Sequence, residues 1–222
     1  LARAPRPQAP GAGADFPLAG GLVGYASYDI VRYFERLRPT TPEPGAMPDL
    51  HYVAPASLLV FDHLTRGIAL LHAGSESERQ SLRREVIAAL RGAVPASRVQ
   101  GSFSPALASM SEAQFLAGVA RTKEYIAAGD VYQLVLSVRF GGRADIDPFE
   151  AYRALRLINP SPYMYYCAMD DVTVVGSSPE ALVKLSHGQA QLRPIAGTRP
   201  RAADEAEDQR RERELLADAK EN

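Results

Sequence analysis

Hydrophobic and polar residues alternate with two periods along the chain, and the longer period marks the helices. Between Phe115 and Ile126, apolar residues recur every three or four positions, which is typical of one face of a helix. Ser111 and Gln114 stand before this run as a plausible capping box, and Gly129 stands after it as a stop. The pattern therefore predicts a helix that begins after Ser111 and ends at Gly129.

Three further segments have a helical pattern. Residues 148–158 follow Asp147, with Pro148 and Glu150 at the first and third helical positions, an arrangement that favours helix initiation. The other two segments are amphipathic or strongly charged, and they read SESERQSLRREVIAALRGA and EDQRRERELLADAKEN. The first of these has serine at its start and glycine near its end, as helix caps commonly do.

The shorter period predicts strands, most of them in hairpins. Residues 130–140 (DVYQLVLSVRF) are nearly alternating and rich in β-branched and aromatic residues. Hairpins are predicted at the following pairs of segments: HYVAPASLLVFDH with IALLHAG across LTRG, YMYYCAM with VTVVGSS across DD, and ALVKLS with QAQLRPIAG across HG. Antiparallel hairpins with helices outside them predict an α+β fold.

Composition shifts divide the chain. The stretch VPASRVQGSFSPALAS is of low complexity and predicts a boundary near residue 105, with domains at 1–105 and 106–222. The first residues, LARAPRPQAPGAGADFP, have the composition of a linker, and the last segment is a helical pattern without a stop signal. We therefore expect an internal fragment of a longer protein, with a fold that is incomplete at both ends.

Composition excludes several classes of function. The net charge of −1 gives no reason to expect a nucleic-acid or membrane surface. No apolar run approaches the roughly 20 residues of a membrane-spanning helix. Cys167 is the only cysteine, which excludes an internal disulfide and favours the cytoplasm. The four histidines are scattered singly, so a zinc cluster is not expected.

Glu180, in the segment GSSPEAL, has two interpretations. Ser178 and Pro179 could begin a short helical turn with Glu180 at its third position, where a glutamate commonly serves the local backbone. Alternatively, Glu180 is a carboxylic acid at a strand end, partly removed from water, with its pKa raised so that it can donate a proton. Spacing alone favours the first interpretation.

Two other segments are ambiguous when taken singly. Gln133 on a predicted strand would usually face solvent. In RPIAGTRPR (193–201), arginines near a hairpin end are usually surface charges, but Gly197 allows a close approach of backbone to a ligand and Thr198 adds a hydroxyl and an N–H. NPSPYMYY (159–166) reads either as a rigid turn into a core strand or as an aromatic-walled pocket.

The order of five motifs carries a resemblance that no single motif does. GYASYDIVRYFERL, GDVYQLVLSVRF, NPSPYMYY, GSSPEALVK and RPIAGTRPR with ELLADAKE resemble, in this order, the chorismate-utilising enzymes, and within them the large subunits of anthranilate synthases. The resemblance covers roughly residues 20–222. It implies an α+β fold in which antiparallel sheets pack on each other with helices on the outside. It also implies a cleft for chorismate, whose two carboxylates explain a Gly-Thr site beside arginine.

The resemblance also assigns roles to residues. Glu180 matches the general acid that protonates the departing hydroxyl of chorismate, and this outweighs the capping interpretation. The resemblance places a stretch of the chorismate pocket at Ile195, Ala196, Gly197 and Thr198.

Two positions separate activities within the family. Where Ala196 stands, related aminodeoxychorismate synthases commonly have a lysine that attacks the substrate, and where Gln133 stands, relatives that add water have a lysine as general base. Alanine cannot act as a nucleophile, and glutamine cannot take up a proton at neutral pH. Only three of the 25 basic residues are lysines, at 123, 184 and 220. The resemblance therefore implies ammonia as the nucleophile.

A metal ion and an inhibitor are further implications. The family binds Mg²⁺ through glutamates, of which Glu221 matches one. In anthranilate synthases the NPSPYM stretch lines a pocket for tryptophan, the feedback inhibitor, and the matching residues here are Asn159, Pro160, Ser161, Pro162, Tyr163 and Met164. Tyr165, Tyr166 and Cys167 are assigned to the core.

The implied partner is a glutamine amidotransferase, as a separate subunit or a fused domain, which supplies ammonia within a hetero-oligomer. Three alternatives remain open. The enzyme could be an aminodeoxychorismate synthase or a phenazine-type relative, whose products keep the pyruvyl group. The chain could be a non-catalytic module that binds tryptophan or a partner. It could also be a truncated fragment without independent function, with poor solubility and exposed apolar surface.

Overall fold

The computed structural model describes residues 21–37, 47–94, 101–195 and 197–219. These residues form two compact units. The first comprises the described residues up to 94 together with Cys167–Thr173, and the second comprises the remaining described residues from 101 onwards. The predicted N-terminal linker and part of the predicted boundary segment lie outside the described residues. The domain boundary near residue 105 stays a prediction.

The first unit is built from two antiparallel strand pairs. β1 (Val23–Ala26) pairs with β2 (Leu50–Val53), and β3 (Ser57–Asp62) pairs with β4 (Gly67–His72). A 3-10 helix (Tyr28–Tyr33) follows β1. The hairpin predicted across LTRG is confirmed, but the segment before it contains two strands instead of one. The break between them falls at residues 54–56, because β2 pairs with β1 whereas β3 pairs with β4.

The turn of this hairpin is held by one carboxylate. Asp62 accepts hydrogen bonds from the backbone N–H groups of Leu64 and Thr65 and from the Thr65 hydroxyl. These bonds to the charged form, above all the one from the Thr65 hydroxyl, lower the pKa of Asp62 below its ordinary value. α1 (Glu76–Arg91) then packs against β4, and its N-terminus is closed by a complete capping box between Ser75 and Glu78.

In the second unit, two short strands precede the longest described helix in sequence and two follow it. The helix is α2 (Glu112–Ala128). The strands before it are β5 (Ser102–Phe103) and β6 (Leu107–Ala108), and the strands after it are β7 (Phe140–Gly141) and β8 (Ala144–Asp145). β5 pairs with β8 and β6 with β7, both antiparallel. The capping box predicted for α2 is confirmed, since Ser111 and Gln114 each bond the other's backbone N–H. Gly129 ends the helix in the left-handed conformation.

The predicted strand at 130–140 is wrong for all but its last residue. Within the described part of the chain no strand pairs with residues 131–139, and only Phe140 enters a strand, in β7. Composition favours a strand there, but a strand exists only where a neighbouring backbone accepts its hydrogen bonds. Leu136 of this segment lies against Gly118 of α2.

The remaining elements agree closely with the patterns. α3 (Pro148–Ile158) begins after the Asp147 cap, whose side chain accepts from the Phe149 N–H. The three last strand pairs and the last helix are β9 (Tyr163–Met169) with β10 (Val172–Ser178), β11 (Lys184–Ser186) with β12 (Gln189–Gln191), and α4 (Glu205–Ala217). The α+β class is therefore confirmed, with the described strands arranged in two-stranded sheets.

Few of the described residues are buried. Within the described ranges, Met169 is the one hydrophobic residue that is buried, at 6% exposure. Tyr166 is half-buried, and its ring contacts those of Phe149 and Tyr152, whereas Tyr165 is 45% exposed and Cys167 is half-buried. The assignment of residues 165–167 to a core is therefore wrong for Tyr165. Among the described helices, none combines the length and apolarity needed to cross a membrane.

We expect Gly24→Ala to lower the free energy of unfolding by about 1–3 kcal/mol, the usual cost of overpacking. A Cβ at Gly24 would overlap the backbone carbonyl of His51 on the paired strand, and backbone cannot rotate away as a side chain can. Urea denaturation of the full-length protein measures the change.

Gly141→Ala is the matched control, because a Cβ at Gly141 in β7 meets no atom within 4 Å. It should change stability by less than about 0.5 kcal/mol. Equal effects of the two substitutions would show that β1 and β2 are not paired in this register.

Candidate functional site

Glu180 lies just after β10, in an extended connection to β11. Ser178, the last residue of β10, bridges the backbone of Glu180: its hydroxyl donates to the Glu180 carbonyl at 2.8 Å and accepts from the Glu180 N–H at 3.4 Å. The predicted helical turn is absent from residues 179–183. The side chain of Glu180 is exposed, so the desolvation expected of a buried proton donor is not seen. Ser178 thus fixes the main chain of Glu180 and leaves its carboxyl group in contact with solvent.

Gln133 lies on the extended segment between α2 and β7. Its side chain is exposed, and the segment has no strand partner among the described residues. At the end of the segment, the Arg139 N–H donates to the Ser109 hydroxyl at 3.0 Å, and the Ser109 N–H donates to the Arg139 carbonyl at 2.7 Å. The segment that carries Gln133 is therefore held by contacts that follow it in the chain, at Leu136 and Arg139.

The predicted chorismate-binding stretch follows β12. Ile195 is 55% exposed, Gly197 is half-buried and Thr198 is exposed. Ala196 lies outside the described residues. We call Gly197–Arg201 the GTRPR loop, after its sequence.

Two arginines of the GTRPR loop are paired with carboxylates beyond it in the chain. Arg199 Nη2 donates to Asp218 Oδ2 at 2.8 Å, and the side chains of both residues are about one-third exposed. Arg201 makes a two-point contact with Asp208, at 3.0 Å from Nε and 2.6 Å from Nη2. Asp208 also accepts from the Ala202 N–H at 2.9 Å, and these bonds, with Arg201 first, lower its pKa.

A third arginine reaches the loop from α4. Arg211 Nη1 donates to the carbonyl of Pro200 at 2.8 Å and to that of Arg201 at 3.4 Å. Its Nε donates to Glu207 Oε1 at 2.8 Å. Hydrogen bonds from Arg210 and Arg211 lower the pKa of Glu207 to about 2, from an ordinary value of 4.5. Because the folded-state pKa is lower, the stabilisation by these pairs is present above pH 4.5 and is lost only as the pH falls through about 2.

The residues predicted to bind tryptophan form the connection from α3 to β9. Asn159 caps α3, and its carbonyl accepts a hydrogen bond from the Ser177 hydroxyl at 2.7 Å. Ser177 is on β10, so this bond holds the connection beside the strand end that precedes Glu180. Ser161 and Met164 are half-buried, whereas Asn159, Pro160, Pro162 and Tyr163 are exposed.

The described residues contain no group of three or more His, Cys, Asp or Glu that could hold a metal ion. Glu221, the predicted magnesium ligand, lies outside them.

The structure links some predicted residues and not others. Ser177 connects the tryptophan segment to the strand that leads to Glu180. No hydrogen bond or ion pair between described residues joins Gln133, Glu180 and Gly197–Thr198 to one another. The sequence analysis did not single out Arg211, Asp208 or Asp218. For Asp208 and Asp218 the signal was the opposite charge 7 and 19 residues from Arg201 and Arg199, a spacing that indicates contact only once α4 is known to fold back. Arg211 gave no such signal, because it bonds a backbone carbonyl of the loop.

Comparison with known proteins identifies the family. The model of the family described as chorismate binding enzyme matches residues 2–222. The chain is 44% identical over 210 residues to anthranilate synthase component 1 of Thermus thermophilus, covering 92% of this chain and 45% of that protein. It is 42% identical over 222 residues to the protein of the same name from Streptomyces coelicolor, covering 92% of this chain and 43% of that protein.

A solved structure gives the same result. The crystal structure of anthranilate synthase component I from Streptococcus pneumoniae TIGR4 superposes with a TM-score of 0.77 and 29% sequence identity, covering 94% of this chain and 48% of that chain. The chain thus spans slightly less than half the length of the relatives that it matches. With a family match over nearly its whole length, the chain belongs to the chorismate-binding enzymes.

Proposed function

We propose that this chain is part of the synthase component of an anthranilate synthase, which converts chorismate and ammonia to anthranilate, pyruvate and water. The relatives at 36–44% identity carry the name anthranilate synthase component 1, which supports this subclass within the family. The observation that carries the proposal is the pair of residues at positions 133 and 196, a glutamine and an alanine.

These two residues restrict the nucleophile. A nucleophilic lysine or a lysine base at these positions would allow covalent attack on chorismate or activation of water. Neither Gln133 nor Ala196 can do this, and ammonia already carries a free electron pair and needs no base. The nitrogen of ammonia then bonds to the ring while the hydroxyl of chorismate leaves as water, and loss of the enolpyruvyl group as pyruvate completes the aromatic ring.

Glu180 is the proposed proton donor to the departing hydroxyl. A carboxylic acid donates effectively when water is excluded from it, since water competes for the proton and stabilises the carboxylate. The carboxyl group of Glu180 is exposed in this structure, so groups other than the described protein surface, such as bound substrate, exclude water from it during the reaction. Ser178 restrains the position of Glu180, because its hydroxyl bonds both the backbone carbonyl and the backbone N–H of that residue.

Ile195, Ala196, Gly197 and Thr198 are proposed to bind a carboxylate of chorismate. Gly197 has no side chain to obstruct the approach of the anion, and Thr198 offers a hydroxyl and a backbone N–H. The designation component 1 in the relatives supports a second component, for which a glutamine amidotransferase that delivers ammonia is the proposed partner. We place this hetero-oligomer in the cytoplasm.

Substitution of Glu180 tests the proposal directly. We expect Glu180→Gln to lower kcat about 10²- to 10⁴-fold, the usual contribution of a general acid, because glutamine keeps the shape but has no acidic proton. The assay supplies chorismate and ammonium to the full-length protein, follows anthranilate fluorescence and identifies products by chromatography.

Glu124→Gln, a change of the same type at an exposed position of α2, is the control and should keep full activity. Formation of aminodeoxychorismate or isochorismate by the wild-type protein would contradict the proposed subclass. Unchanged kcat in Glu180→Gln would contradict the role of Glu180.

Magnesium is the proposed cofactor, with Glu221 as one ligand. We expect removal of divalent ions by EDTA to abolish turnover and added Mg²⁺ to restore it, with Glu221→Gln requiring at least about tenfold more Mg²⁺ because one anionic oxygen ligand is lost. Titration of activity and calorimetric Mg²⁺ binding measure this, with Glu124→Gln as control. Full activity in EDTA would exclude the proposal.

Tryptophan is the proposed feedback inhibitor, bound by residues 159–164. We expect tryptophan to inhibit the wild-type protein, and Met164→Ala to require about tenfold more tryptophan. Met164 is half-buried, and tenfold corresponds to about 1.4 kcal/mol, roughly half of what a fully buried methionine contributes. Met110→Ala is the matched control at a distant position in the sequence. Calorimetry distinguishes the alternatives: binding of tryptophan without chorismate would indicate a non-catalytic module, and inhibition unaffected by Met164→Ala would place the inhibitor site elsewhere.

A further inference from the structure

The GTRPR loop is anchored to α4 at three points. Arg199 pairs with Asp218 at the C-terminal end of α4, Arg201 pairs with Asp208 in its first turn, and Arg211 bonds the carbonyl of Pro200 from between them. Contacts at both ends of the helix restrain the loop along its length, which a single ion pair could not do.

These contacts differ in how much they can contribute. The side chain of Arg201 is 90% exposed, so its ion pair is weakened by water and salt and contributes little. The Arg199–Asp218 pair and Arg211 are only about one-third exposed, and the partners of Arg211 Nη1 are backbone carbonyls, whose positions define the path of the loop. The anchoring therefore depends mainly on Asp218 and Arg211.

The cavity between the GTRPR loop and α4 is lined by the residues that hold the loop to the helix, and it is not a site for an anion. It has a volume of about 380 Å³ and is lined by Arg199, Pro200, Arg201, Asp208, Arg211, Glu212 and Leu215. Its three guanidinium groups each face a carboxylate, at Asp218, Asp208 and Glu207 respectively. An anion entering there would have to displace one of these carboxylates.

We propose that α4 braces the GTRPR loop, and that Arg211 and Asp218 are positioning residues for the neighbouring Gly197–Thr198 pair. The role of that pair in binding chorismate rests on the proposed function above. Arg199 transmits the restraint, since it bonds Asp218 through Nη2 and the carbonyl of Thr198 through Nη1 at 3.1 Å. Neither Arg211 nor Asp218 touches substrate in this arrangement.

Substrate affinity is the first readout. We expect Arg211→Lys to raise KM for chorismate about tenfold and to change kcat less than about threefold. Lysine keeps the charge, but its single ammonium group cannot bond Glu207 and the Pro200 carbonyl with the geometry of a guanidinium. Arg213→Lys, the same change two residues along α4 on an exposed arginine that bonds only within the helix at Gln209, should leave KM unchanged.

Coupling is the second readout. Asp218→Ala and Arg199→Ala should each raise KM, and the double variant should raise it no further than the larger single effect, because both remove the same link. A purely structural role would lower the melting temperature and the amount of active protein while leaving KM unchanged.

Amide exchange is the third readout, and it needs no chorismate. The Ala202 N–H is held by Asp208, so its hydrogen exchange reports on attachment of the loop to α4. We expect about tenfold faster exchange of this amide in Arg211→Lys than in wild type or Arg213→Lys.

The readouts separate the two proposals. Unchanged exchange and unchanged KM in both Arg211→Lys and Asp218→Ala would overturn the brace. Faster exchange with unchanged KM would show that the loop is anchored but that Arg211 and Asp218 do not position a substrate site, which overturns their proposed role. Absence of chorismate turnover in the wild-type protein would overturn the proposed function, while exchange would still decide whether α4 anchors the loop.

Discussion

Backbone pairing, and not the burial of side chains, is the constraint on which the described structure depends. Every described strand belongs to a two-stranded sheet, and such pairs are marginally stable in water when isolated. Among the described residues, Met169 is the one hydrophobic residue that is buried. Close backbone contact, as at Gly24, and capped helix ends, as at Ser75 and Ser111, therefore contribute more than usual to the stability of the described structure. Large apolar side chains such as Leu64 and Tyr132, each 94% exposed, contribute little to holding these pairs together.

Features that depend on neighbours in sequence could be predicted well. The caps at Ser111 and Asp147, the stop at Gly129 and the hairpin turn at His187–Gly188 each need only a few adjacent residues. Both turn residues have positive φ, at 51° for His187 and 76° for Gly188. Glycine adopts this conformation freely because it has no Cβ, and histidine is among the other residues that adopt it more often than most. Local chemistry determines such features wherever they occur in a fold, so the sequence is sufficient for them.

Features that depend on distant partners could not be predicted in the same way. Residues 130–140 have the composition of a strand, but pairing is decided by whichever backbone lies beside them, and only Phe140 has such a partner among the described residues. The exposure of Glu180 could not be predicted either, because burial of a side chain depends on residues distant in sequence. Its side chain is exposed in the structure. The assignment to the family came from the order of five motifs, and the match over residues 2–222 confirms it, whereas the roles of Gln133 and Glu180 stay predictions.

The loop arginines show how charge pairing changes the chemistry that a motif suggests. In sequence, RPIAGTRPR reads either as a group of surface arginines or as a modest carboxylate site beside Gly197 and Thr198. In the structure, Arg199 and Arg201 face carboxylates of their own, so their positive charge is largely compensated locally. Binding of a carboxylate at the proposed site would then rely on the N–H and hydroxyl groups of Gly197 and Thr198, whose strength depends on orientation more than on net charge. Directional donors of this kind lose their value when they are misplaced by a fraction of an ångström, which is why a loop that uses them has to be anchored as firmly as α4 anchors this one.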